Sequence, residues 1–77
     1  MGGETEKELL KILEEAVERE KGAQELYKKG ARLAVKPEIK KMFQLLEAEE
    51  KKHERLLTKE YHEVKKRLGL KILHPDE

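Results

Sequence analysis

The chain has no cysteine, so no disulfide can hold it together. Tryptophan and asparagine are also missing, and only 4% of the residues are aromatic. No apolar run approaches the roughly 20 residues needed to cross a bilayer, and residues 1–3 followed by acidic side chains make the wrong start for a secretory leader. Neither sign of charge dominates. Although 45% of the residues are charged, the formal net charge is +1, so acids and bases are interspersed and no basic field exists to hold nucleic acid. The expectation is a cytoplasmic protein that binds neither nucleic acid nor membrane. Abundant Lys and Glu with few labile residues fit a thermophile composition. At 77 residues the chain makes one domain at most. A core of that size is marginal without a metal, a staple or a partner subunit.

What is present is helical periodicity. Thr5 with Glu8 makes a capping box just ahead of the first apolar position. Apolar residues at a 3.6-residue period then run from Leu9 through Leu13 and Ala16 to Tyr27, Ala31 and Ala34. Pro37 pushes Lys36 out of helical geometry and opens a second helix as its first-turn residue. That helix carries Ile39, Met42, Phe43 and Leu46, then Leu57, Tyr61, Val64 and Leu68, and stops at Gly69, with cations at 65–67 facing its negative end. The pattern predicts one all-α domain over residues 1–77: helix 1 over about 5–34, a turn at 35–36, helix 2 over about 37–68, and a short apolar tail at 69–77. So short a turn forces an antiparallel hairpin. Two rods side by side leave the far edge of each apolar stripe wet, so the hairpin is expected to dimerise into a four-helix bundle. Leu10, Val17, Leu26, Leu33, Leu45 and Leu56 lie off the main stripes and offer a second apolar surface for larger assemblies. Gly22 and Gly30 read as tolerated surface glycines, with close helix approach as the alternative.

Three residues break the stripes. Glu20 interrupts the first, and Glu50 and His53 fill in phase the gap between Leu46 and Leu57. Burying such groups without a partner costs several kcal/mol. A Glu-x-x-His unit alone is weak in a chain with 17 acids among 77 residues. Its position adds information, because spacing of three puts Glu50 and His53 on one helix face. Moreover, Glu20 and Glu50 are centred on residue 35, the expected turn. Folding there sets both carboxylates at the same height, about 22 Å from the turn. A twofold axis would double the set to four Glu and two His, whose four negative charges two divalent ions balance. Oxygen-rich ligands with one imidazole per metal suit iron or manganese, while zinc or cobalt can occupy the same shell in vitro. Ion pairing is the alternative for the three. Tyr27, two turns beyond Glu20, reads as a core aromatic or as a hydroxyl donor to a ligand carboxylate. Gln24 is a further supporting candidate. Glu47 reads as solvated surface in preference to an approach path for ions, and His62 and His74 read as surface residues.

Glu20 followed by Ala23, Tyr27 and Ala31, and then Glu50-Lys51-Lys52-His53, resembles half of the rubrerythrin-type diiron domain of the ferritin-like superfamily. It is similar to the single-hairpin encapsulated ferritin-like proteins, over roughly residues 9–68. The resemblance implies that Glu20, Glu50 and His53 hold two iron ions per dimer, with Glu50 bridging and Tyr27 beside them. It implies a ferroxidase-type oxidoreductase that oxidises Fe(II) with oxygen or peroxide in iron handling or oxidative-stress protection. Peroxide reduction with an external reductase is a variant, and a non-catalytic, metal-stabilised helical dimerisation module is the rival. The implied partners are a second copy, metal ions, and an encapsulin shell or an electron donor. No second copy of the motif and no rubredoxin-like cysteine module stands in the sequence, and residues 70–77 do not read as a cargo-loading signal.

Overall fold

A computed structural model describes residues 2–69, with side chains from Glu4 onward. Helix α1 spans Gly2–Leu33 and helix α2 spans Pro37–Arg67, and the two lie against each other as an all-α hairpin. Among the described residues there is no strand. From Leu70 on, the apolar tail lies outside the described residues, and so does His74. Helix α1 begins ahead of Thr5, which therefore sits inside the first turn instead of capping it. No proline stands there, Gly2 and Gly3 cost that turn some helix propensity, and Glu4 meets the positive end of the dipole.

The connection works as its proline requires. Lys36 is extended (φ −77°, ψ 131°), and its carbonyl accepts hydrogen bonds from the amides of Ile39 and Lys40 at 3.1 Å, closing the first turn of α2 behind Pro37. At the other end Gly69 adopts φ 75° and its amide donates to the Lys66 carbonyl at 2.9 Å. That left-handed residue ends α2.

Cross-helix pairs run in opposite directions along the two helices, which fixes the antiparallel register. Next to the turn, Gly30 faces Phe43. Further down, Glu20 meets Glu50 and His53, the Tyr61 hydroxyl donates to Glu14 at 2.9 Å, and Arg67 reaches Glu6 at 3.4 Å. The remaining ion pairs join residues one turn apart on one helix, and those between exposed side chains, such as Arg19 with Glu15, contribute only tenths of a kcal/mol each.

The two helix glycines differ in kind. A Cβ on Gly22 meets nothing within 4 Å, so this is the surface glycine the sequence suggests. A Cβ on Gly30 falls 2.9 Å from the Phe43 ring, so at Gly30 the close-approach reading is correct and the surface reading is not. Phe43 is itself stacked on Tyr27, with ring centroids 6.3 Å apart, and has little freedom to retreat. Two opposite outcomes are therefore expected in urea unfolding. Gly22→Ala should stabilise by about 1 kcal/mol through helix propensity alone. Gly30→Ala should destabilise, because about 1–3 kcal/mol of overpacking outweighs the same propensity gain.

The hairpin interior is thin. Only Leu10, Ala31 and Val64 are buried among the described apolar residues, and Val17 is half-buried. Leu10 and Val17 thus belong to the hairpin's own interior and not to a second surface, while Leu26, Leu33, Leu45 and Leu56 are exposed. The two sides of the hairpin differ. One side is an open groove of about 510 Å³ lined largely by polar residues, including Glu14, Glu18, Lys21, Glu54 and His62. Away from that groove, exposed apolar residues fall on a three-and-four grid that polar positions such as Arg19, Glu49 and His53 interrupt: Leu9, Ile12, Leu26 and Leu33 on α1, and Ile39, Met42, Leu46 and Leu56 on α2. Such spacing is the seam pattern that packs one helix against another. Each helix therefore has an unused seam beside the one that closes the hairpin.

Candidate metal centre

Glu20 comes from the middle of α1, and Glu50 and His53 come from one face of α2. The antiparallel register brings them to one level. One ligand atom from each lies within 4.8 Å of the other two, a span that a single divalent cation can bridge. His53 turns Nδ1 toward both carboxylates, at 3.3 Å from Glu50 Oε1 and 3.5 Å from Glu20 Oε2. The far nitrogen, Nε2, lies 4.0 Å from Glu49 Oε2.

Burial divides the three unequally. The side chains of Glu20 and Glu50 are 21% and 19% exposed, whereas His53 is 52% exposed. The stripe that carries His53 is therefore not closed within one hairpin, because the imidazole lies on the seam side, between Leu46 and Leu56. Glu20 Oε2 is out of reach of solvent and accepts no hydrogen bond. A buried carboxylate oxygen with no donor is costly unless a cation or a proton satisfies it. The donor set and this orphaned oxygen together fit a hard or borderline divalent ion.

The electrostatics point the same way. The Glu50 carboxyl is held above its ordinary value of 4.5, first by its hydrogen bond with Glu20, then by loss of water contact and by the Glu20 charge, with His53 opposing. Two carboxylates this close resist simultaneous ionisation. An acid whose pKa is raised on folding binds its proton more tightly in the folded state. That contribution is present while Glu50 is protonated and is lost as pH rises through its raised pKa. The chelated protein is accordingly expected to show a falling thermal midpoint as pH climbs above 4.5 through that titration. Glu50→Gln should flatten this fall, and a divalent metal should reverse it. A chelated wild type insensitive to pH over that range would contradict the coupling.

The other candidates separate. Tyr27 stacks on Phe43, toward the turn from the Glu20 level. Gln24 does not serve the cluster, since its amide donates to Glu54 at 2.7 Å across the polar side. Glu47 is not a solvated surface residue: its side chain is only 16% exposed and lies 3.5 Å from Lys51. His62 is a surface residue, edge-on to Tyr61. Glu49 is the residue that sequence reasoning missed, although its place one turn before His53 was the signal available.

Among the described residues no helix is long and apolar enough to cross a membrane. A family model described as Rubrerythrin matches residues 11–75. Neither the curated proteins nor the solved structures compared with the chain include a match.

Proposed function

The chain belongs to the rubrerythrin family, and from that premise we propose that it is a diiron-carboxylate protein that oxidises Fe(II) at an interface between two copies. The observation that carries this reading is the convergence of Glu20, Glu50 and His53 within 4.8 Å. One hairpin supplies two carboxylates and one imidazole, half of the set that carboxylate-bridged two-metal bundles use. His53 sits on the exposed seam, so a second hairpin docked there by a twofold axis brings its own three residues to the first. The doubled set has four negative charges against four positive charges on two divalent ions.

In this reading Glu20 and Glu50 bind through oxygens already stripped of most of their water, and His53 binds through Nδ1. Glu50, within reach of both Glu20 and His53, would hold metal together with them and supply the negative charge that balances it. Iron held there would supply the electrons, one from each of two Fe(II), for reducing an oxidant such as peroxide with two protons to two waters. The residues supply geometry and charge compensation. The two carboxylates are forced together before loading, and iron relieves their repulsion. The docked seams exclude water from the site. Tyr27 stands as a neighbour of the centre on the turn side.

The test is anaerobic loading of the full chain with Fe(II), followed by peroxide or air. The expected result is two irons per dimer and the absorption of an oxo-bridged diferric pair. Bound metal with no Fe(II) oxidation would leave a metal-stabilised dimerisation module, and no bound metal would overturn the ligand assignment.

A further inference from the structure

We propose that Glu49 is a positioning residue for this centre: it holds the Nε2–H of His53, so that Nδ1 is the nitrogen presented to the metal. The inference rests on the reading of Glu20, Glu50 and His53 as ligands. An imidazole offers a metal one lone pair, and its other nitrogen then carries a proton that needs an acceptor. In this chain the two nitrogens are addressed by different carboxylates. Nδ1 faces Glu20 and Glu50, and Nε2 faces Glu49, one turn back on the same helix.

The surroundings of Glu49 support the role. It stands on the exposed seam of α2 between Leu46 and Leu56, a position where a bare carboxylate opposes docking of apolar surface. Two donors lie within reach of it: His53, and Lys52 at 3.7 Å. Lys52 can satisfy its charge, but only His53 links it to the Glu20–Glu50 pair. At 4.0 Å the pair is longer than a hydrogen bond in the metal-free hairpin, so the proposed role requires it to close when metal is bound and keep a half-exposed ring from flipping. A flip would turn Nε2 to the carboxylates and point Nδ1 away.

The experiment uses the full chain loaded with Zn(II), a diamagnetic probe, and reads which His53 nitrogen is metallated by long-range proton–nitrogen NMR. The expected result is metal on Nδ1 and a proton on Nε2. In competition titrations Glu49→Ala should weaken Zn(II) binding by about 10–100-fold without changing its stoichiometry. Glu49→Gln, which keeps an acceptor oxygen but not the charge, should recover part of that loss. Metal-free Glu49→Ala should melt no lower than the wild type, so that weaker metal binding cannot be put down to a damaged fold. Metal on Nε2, or a Glu49→Ala variant that binds as tightly as wild type, would overturn the proposal. If the wild type binds Zn(II) and His53→Ala does not, while Glu49→Ala is unaffected, only the positioning role falls. If the wild type binds no Zn(II), the ligand reading fails and takes this one with it.

Discussion

His53→Ala is expected to lower metal affinity by more than about 100-fold, beyond the upper end of what a supporting residue costs, because it deletes a ligand and leaves two carboxylates as the only donors in the hairpin. Glu20→Ala should lose metal to a similar degree but for a different reason, with an opposite effect on the empty protein. Glu20 is the main cause of the raised Glu50 pKa. Without it Glu50 returns toward ordinary carboxylate behaviour, the orphaned Glu20 oxygen disappears, and the chelated variant should be at least as stable as the wild type near neutral pH. His53→Ala brings no such relief, since His53 lowers the Glu50 pKa and its removal leaves the acid pair more strained. Calorimetric titration with Fe(II) under argon, paired with thermal melts of the chelated proteins, separates the two. Equal melting behaviour of the two chelated variants would argue against the carboxylate coupling even if both had lost metal.

The proline, the glycine at the end of α2 and the helical period together made the hairpin legible, because each acts locally and leaves few alternatives. The level of the site was legible too. Once the turn is placed, an antiparallel pair has a single register within a residue or two, and Glu20 and Glu50 are symmetric about it. What periodicity cannot report is rotation and approach. Leu9 and Leu10 are adjacent and both compatible with a buried stripe, and packing chose Leu10. Gly30 and Gly22 look alike in sequence, and the difference between them is the distance to Phe43 on another helix. Glu47 was misjudged because an acid in an acidic chain is normally solvated, whereas the side chain of this one is only 16% exposed and pairs with Lys51 one turn on. His53 falls on an apolar stripe, but that stripe is wider than one neighbouring helix can cover. Its exposure in the single hairpin follows from the same pattern that placed it there.

On the proposed pairing of two copies, Leu46→Glu is expected to keep the chains apart and to remove metal binding with the dimer. Leu46 lies one turn before Glu50 and, with Ile39 and Met42, forms the exposed seam on the His53 side. Leu46 is 36% exposed in the hairpin, so covering what remains contributes about 1 kcal/mol per copy. Twofold symmetry makes each substitution count twice, so the dimer dissociation constant should rise about 30-fold before the cost of burying a carboxylate is added. The hairpin loses the contacts of a side chain that is 36% exposed, but Leu10, Ala31 and Val64 are untouched, so it should persist with a lowered melting temperature. The matched control is Thr58→Glu in the polar groove of the hairpin, which should change neither assembly nor metal content. Sedimentation velocity and metal analysis on the same samples read both effects. The proposed two-metal centre takes half of its ligands from each chain, so on that reading assembly and metal content should fall together in Leu46→Glu. A monomeric variant that kept full metal affinity would mean that one hairpin suffices, and a dimeric variant without metal would mean that the copies meet through some other face.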